Sequence, residues 1–203
     1  MKKLLSLLFI STLLAACTSK VDEPRYKVVS QEGQIQIRHY EPTAIAYTLV
    51  EGERDEAIND GFRALFKYID GANVAQQSIP MTAPVAQSAA SKKIPMTTPV
   101  AQVQAGDGQW KVVFYMPNDA EFAELPQPTD EAVKLEAIPA QKKAVINYSG
   151  WMDDENIAEN EAKLRRYLKV NNIRFHEPAH YAGYNPPWTL PFARRNEVMF
   201  RLK

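Results

Sequence analysis

Residues 26–71 read YKVVSQEGQIQIRHYEPTAIAYTLVEGERDEAINDGFRALFKYIDG, and a change of period inside this stretch decides the fold. Tyr26 to Val29, Ile35 to Tyr40 and Thr43 to Val50 are short runs rich in Val, Ile, Tyr and Thr. They are divided by Gln31-Glu32-Gly33 and by Glu41-Pro42, both turn-forming chemistry. From Glu53 to Asp70 the apolar residues Ile58, Phe62, Leu65, Phe66 and Ile69 recur at three- and four-residue spacing. Glu53, Asp55 and Glu56 favour the start of a helix, and Gly71 is placed to end it. Three strands followed by one amphipathic helix is the reading.

Working outward, the same order returns. Trp110 to Met116 follows the Gly106-Asp107-Gly108 turn as a strand, and Ala132 to Ile138 and Lys143 to Tyr148 add two more around Pro139. A second helix is capped by Asp153 or Asp154 and buries Ile157, Leu164 and Leu168. Glu159 with Lys163 and Glu161 with Arg165 are favourable four-residue ion pairs on it, and Asn171-Asn172 closes it. The tail holds a strand near Ala179 to Tyr184, a proline-rich loop through Pro191 and a last strand from Glu197 to Leu202. Strand runs separated by single helices predict an α+β fold, a mostly antiparallel sheet curled around a core with two helices packed on it.

The N-terminus has its own chemistry. Met1-Lys2-Lys3 is a short positive region and Leu4 to Leu14 an apolar run too short to span a bilayer, followed by Leu14-Ala15-Ala16-Cys17. Small residues directly before a thiol predict a lipoprotein signal peptide over residues 1–16 and lipid on Cys17; the other reading is an ordinary cleaved secretory signal. Residues 17–25 then form a lipidated Cys and polar tether, and residues 26–203 the domain. Thr18 is not acidic, so in a cell with two membranes the expected location is the outer one, facing the periplasm. Removing residues 1–16 takes away Lys2 and Lys3 from 24 basic residues and leaves 22 against 24 acidic, a net charge of about −2. Nucleic acid is therefore not an expected partner. Cys17 is the sole cysteine, so the core must hold without a disulfide.

A near-exact repeat is the most specific feature: Ile79-Pro80-Met81-Thr82-Ala83-Pro84-Val85-Ala86-Gln87 returns as Ile94-Pro95-Met96-Thr97-Thr98-Pro99-Val100-Ala101-Gln102. As strands, each tract lacks N–H donors along one edge, because its two prolines fall on that side. The expectation is a hairpin of edge strands joined by Ser88 to Lys93. Such an edge, presenting Met81 and Met96, is also suited to form an apolar lip for a flat polarisable ligand.

Here the sequence resembles the SOUL haem-binding proteins. The resemblance runs from about Tyr26 to Leu202. It is carried by Ile37-Arg38-His39-Tyr40, Gly61-Phe62 to Tyr68-Ile69, the doubled Met-Thr-x-Pro-Val tracts, Phe114-Tyr115-Met116-Pro117, Ala182-Gly183-Tyr184-Asn185-Pro186-Pro187-Trp188 and Arg195-Asn196-Glu197-Val198. It implies a distorted antiparallel β-barrel flanked by two α-helices and built from two similar halves. It also implies binding of haem or a related tetrapyrrole at an apolar surface groove. The architecture is similar to effector-binding domains that hold amphipathic drugs in some transcription regulators, so the fold alone does not name the ligand.

Among candidate residues, His39 shares a strand face with Ile35 and Ile37 and is expected to point inward as a haem iron ligand; the alternatives are a hydrogen-bonded core histidine or one at the rim whose neighbours happen to be apolar. His176-Glu177-Pro178-Ala179-His180 has the letters of a helical zinc-protease motif, but Pro178 removes the helix. Extended, the two histidines stand roughly 13 Å apart, too far for one zinc at about 2 Å per ligand. Arg194 and Arg195 either pair with the carboxylates of haem or bridge to Glu197 and fasten the tail. Tyr184, Trp188 and Pro186-Pro187 either line a planar-ligand groove or lock a loop over the core. No nucleophile elbow or phosphate-binding glycine loop is present, so the expectation is not an enzyme. It is a non-catalytic envelope lipoprotein that stores, buffers or hands over haem or another tetrapyrrole. The alternatives are a binding module for another apolar or amphipathic small molecule and a ligand-free envelope interaction protein.

Overall fold

The computed structural model of the chain describes residues 21–75, 91–106 and 108–203. The signal peptide, Cys17 and the first proline tract with Met81 lie outside the described residues. Strands β1 (Tyr26–Glu32), β2 (Ile35–Tyr40) and β3 (Thr43–Glu51) lead into α1 (Arg54–Ile69). After the two-residue β4 (Asn73–Val74) come β5 (Val100–Gly106), β6 (Gln109–Tyr115), the short β7 (Gln127–Pro128), β8 (Lys134–Ile138) and β9 (Gln141–Tyr148). Helix α2 (Asp154–Val170), β10 (His180–Gly183) and β11 (Asn196–Arg201) complete the fold. Asp153 caps α2 by accepting from the Asn156 N–H, and the Glu159–Lys163 and Glu161–Arg165 pairs form on its surface.

Nine strands make one antiparallel sheet in the order β1-β2-β9-β11-β10-β5-β6-β3-β8, curled into a half-barrel with both helices on its convex face. Apart from the extra edge strand β1, the order is symmetric about the β10–β5 pair. The series β2, β3, α1, β5, β6 corresponds to β8, β9, α2, β10, β11, and each half lends its first strand to the other, β2 pairing with β9 and β8 with β3. Two similar halves are thus interlocked rather than side by side.

The central strands bury both faces, one under a helix and one toward the concavity, whereas β1 at the sheet edge is largely exposed. Ala144 and Ile146 of β9 and Val198 and Phe200 of β11 pack with Leu164 and Leu168 of α2. Ala46, Val112 and Phe114 pack with Leu65 and Tyr68 of α1. The intervening residues Val145, Met199, Val113, Ala101 and Ala182 form a third cluster on the concave side. This is why the strands read as nearly continuous apolar runs.

The second proline tract departs from the expected edge hairpin. Residues 94–99 form no strand, and β5 begins only at Val100, inside the sheet between β10 and β6. Pro95 and Pro99 bring no N–H to a ladder, so pairing starts once the last proline is passed. The tract instead wraps the end of α1: the Ile94 N–H donates to the Ile69 carbonyl at 2.8 Å, and Ile94 is buried in the α1 core. Its side chains therefore close a core instead of lining an open edge.

Gly61 marks the closest approach of α1 to the sheet, since a Cβ there would stand 2.6 Å from Cβ of Val112. Gly61→Ala is expected to destabilise the fold by about 1–3 kcal/mol by overpacking, despite the better helix propensity of Ala. Urea denaturation checks this; an unchanged or raised midpoint contradicts the close-packing account.

Candidate functional site

The concave face divides into a neutralised part and a cationic part. In the first, Arg38 of β2 and Glu197 of β11 are 1% and 0% exposed, and Nη1 of Arg38 donates to both carboxylate oxygens at 3.0 and 3.1 Å. Arg195 Nη2 donates to Glu197 Oε1 at 2.8 Å, and the Tyr184 hydroxyl donates to Oε2 at 2.7 Å. Arg195 Nη1 in turn reaches Glu23 at 2.9 Å, tying down the segment before β1. Tyr26 lies under the Arg38 guanidinium at 4.3 Å, and Tyr184 under that of Arg195 at 3.7 Å. Burial and the facing Glu197 charge hold the Tyr184 hydroxyl well above its ordinary pKa, so it stays a donor.

Elsewhere on the concave face is a groove of about 380 Å³. Its apolar surface comes mainly from Ile45, Ala101, Val113, Tyr115, Ile138 and Pro139; its charged and imidazole groups are Lys111, Glu136, Lys143, His176, Glu177, His180 and Arg201, of which Glu177 is paired with Arg165, and Gln102 and Gln141 add neutral amides. Register explains the cations: Arg38, Lys143 and Arg201 are direct cross-strand neighbours on β2, β9 and β11. Only Arg38 has a buried counter-charge. Lys111 is paired with Glu136 at 2.6 Å and sits 3.8 Å over the Tyr47 ring. Lys143 is 4% exposed, and among the described residues its ammonium meets no carboxylate, only the Tyr40 ring at 5.0 Å. His180, opposite Val103 and Met199, is pushed down to about 3 by burial and then by Lys143, Lys111 and Arg201. It is therefore a neutral imidazole at physiological pH, a state able to accept a hydrogen bond or to ligate a metal.

The residues singled out in the sequence fall mostly elsewhere. His39 does share its face with Ile35 and Ile37, but it is exposed, opposite Lys27 and Lys142. The expectation that it points inward is corrected: Ile35 and Ile37 pack into the α2 core, and that cover does not extend to His39 at the strand's far end. Met96 is 39% exposed and does not line the groove. Tyr184 and Arg195 belong to the Glu197 network, and Arg195 fastens the tail. Arg194 donates to the carbonyls of Thr189 and Pro187, at 2.8 and 2.5 Å, instead of meeting Glu197. Trp188 is 82% exposed, so it does not lock the loop onto the core.

Lys143, Arg201 and His180 escaped the sequence reading. The alternation of Lys143 with Ala144 and Val145 carries no signal that the lysine faces a concavity; only the register of β9 between β2 and β11 supplies it. His180 was read only within a zinc motif, and among the described residues no group of three or more His, Cys, Asp or Glu side chains could hold a metal ion.

A family model described as SOUL heme-binding protein matches residues 21–201. Heme-binding protein 2 of Homo sapiens is 30% identical over 194 residues, covering 90% of this chain and 87% of that one. Heme-binding protein 1 of Xenopus laevis is 29% identical, with 80% of each chain covered. In fold, the chain is similar to the EcmrR C-terminal domain, with a TM-score of 0.59, 11% identity and coverage of 84% of this chain and 97% of that one. It is also similar to a hydrolase from Listeria innocua, with a TM-score of 0.54, 11% identity and coverage of 86% and 94%.

Two outcomes are expected. Glu197→Gln leaves Arg38 buried without a full counter-charge and should cost about 3–5 kcal/mol of stability in urea denaturation. A loss under 1 kcal/mol contradicts the network's role. For His180 the folded pKa is below the unfolded value, so below pH 6.5 the unfolded chain gains a proton that the folded one refuses. Its contribution is lost as pH falls from 6.5 toward 3. His180→Gln should therefore show a smaller fall of urea midpoint between pH 7 and pH 4 than the parent; parallel pH profiles sink the assignment.

Proposed function

The chain belongs to the SOUL heme-binding protein family, and from that premise we propose that it binds haem or a closely related tetrapyrrole in the concave groove. The observation that carries this reading is Lys143, buried without a counter-charge among the described residues, beside a neutral His180 and an apolar wall. A ligand that suits such a surface is amphipathic, with an apolar body and at least one carboxylate. Haem fits these residues: Lys143 and Arg201 answer its carboxylates, Ile45, Val113 and Ile138 answer the macrocycle, and His180 offers an imidazole to the iron. When bound, haem supplies an iron centre. The chain's own residues bind, orient and exclude water.

The rest of the proposal concerns role and place. Binding is non-catalytic and serves storage, buffering or hand-over, and nucleic acid is not a partner. The signal-like residues 1–16 and Cys17 support anchorage by lipid in the cell envelope, in the outer membrane facing the periplasm where two membranes exist. Cys17→Ser should release the chain from the membrane fraction, which detergent partitioning of cells producing each form measures; retention of the variant at the parental level sinks the anchor.

Hemin titration tests the ligand. The parent should give a saturable shift of the Soret band. Lys143→Met should weaken affinity roughly ten- to hundredfold, the value of one charge-assisted hydrogen bond. His180→Ala should change the bound spectrum, while His39→Ala should leave both spectrum and affinity unchanged. The groove assignment fails if His39→Ala alone alters the spectrum or if Lys143→Met binds as the parent does. No spectral change with the parent at any concentration removes the haem reading itself.

A further inference from the structure

We propose that Trp151, Trp188, Leu190 and Phe192 form a second attachment surface that seats the domain directly on a phospholipid bilayer. This rests on the reading of Cys17 as the lipid-bearing residue, and adds to it an orientation for the domain. The four side chains are 53, 82, 60 and 78% exposed, and three of them, Trp188, Leu190 and Phe192, come from one short loop.

Their exposure is built in. The Arg194 guanidinium donates to the carbonyls of Thr189 and Pro187 and stacks on the Trp151 ring at 4.2 Å. The Gly150 N–H donates to the Pro191 carbonyl at 2.8 Å, so the turn bearing Trp151 and the loop bearing the other three are one unit. Held this way, the apolar groups face outward instead of folding onto the core. Trp and Arg together are the chemistry of a membrane interface, where an amphipathic ring sits at headgroup depth and a guanidinium meets phosphate. Arg194 meets no carboxylate among the described residues. The nearby acids are engaged elsewhere, Asp153 on the α2 cap and Asp154 on Arg54.

The place where the described chain begins identifies the occupant. Glu23 is bridged to Arg195, the residue after Arg194, and the Arg195 N–H is bound by Asn185 at the foot of the same loop. Cys17 precedes Val21 by four residues, so their Cα atoms are within about 14 Å. A lipid on Cys17 therefore enters its membrane from the side of the domain on which Glu23 meets Arg195 and the foot of this loop. The polar tether then needs only to bridge the distance, not to hold the domain away from the surface.

The test uses the full chain, purified with its native modification and reconstituted into phosphatidylethanolamine and phosphatidylglycerol vesicles carrying brominated acyl chains. Trp151→Phe leaves Trp110 and Trp188, and the further change Trp188→Phe leaves Trp110 as background. Mass spectrometry of the Cys17 peptide reports the lipid independently. The expected result is lipidated protein that floats with vesicles, with Trp188 emission quenched about two-fold or more by bromine and shielded from aqueous acrylamide. Lipidated, floating protein with Trp188 open to acrylamide and unquenched by bromine overturns the patch and leaves the anchor intact. Shielding from acrylamide without bromine quenching, growing with protein density, overturns it in favour of a second copy. An unmodified Cys17 in protein that does not float overturns both readings.

Discussion

Glu197 is the residue on which the concave face depends. A carboxylate with no solvent exposure needs full compensation, and it receives two guanidinium groups and a tyrosine hydroxyl. Those partners come from β2 and from the two ends of the loop between β10 and β11, and Arg195 extends the link to the N-terminal segment through Glu23. One buried charge thus joins β2 to β11 across β9, closes part of the concavity and fixes where the chain enters the domain. The arrangement is specific more than it is stabilising, because an apolar cluster of similar volume would hold the strands at least as well.

The same charge arithmetic gives the groove its character. Arg38, Lys143 and Arg201 lie in one cross-strand row, but among the described residues the only wholly buried carboxylate on that face, Glu197, is spent on Arg38 and Arg195. Among the described residues Lys143 is left with an aromatic ring, and burial, then the positive field of Lys143, Lys111 and Arg201, keeps the neighbouring His180 without a proton. A carboxylate added near Lys143 from outside would restore the balance that the chain itself leaves open. The proposed preference of the groove for an anionic, partly apolar ligand rests on this deficit, not on any single recognition motif.

The elements themselves were legible in the sequence because they rest on local periodicity. The Glu53–Asp70 spacing, the Asp153 cap and the strands from Ile35 to Tyr40 and Thr43 to Val50 appear within one or two residues of where they were read. Pairing was not legible. The exchange of β2 and β8 between halves, and the interior position of β5, depend on contacts far apart in sequence. The second proline tract misled because prolines do forbid a ladder, yet the strand simply starts after them. His39 misled differently: its face was read correctly, but the length of sheet that α2 covers is a tertiary quantity. Lys143 looked like a surface lysine for the same reason, since cover on the concave side comes from curvature.

Curvature also separates the two surfaces to which function is assigned. Helices occupy the convex face, so a ligand is left the concavity, and the N-terminal segment seals the part of it around Glu197. The chain is thereby drawn across to Arg195, next to a loop whose backbone carbonyls are held by Arg194 and whose aromatic side chains have nowhere inward to go. Loop rigidity, tether position and groove access are consequently set together. On the proposed anchorage through Cys17, shortening the path between Cys17 and Glu23, or breaking the Glu23–Arg195 bridge, would change how the domain is presented at the membrane without touching a single residue that lines the groove.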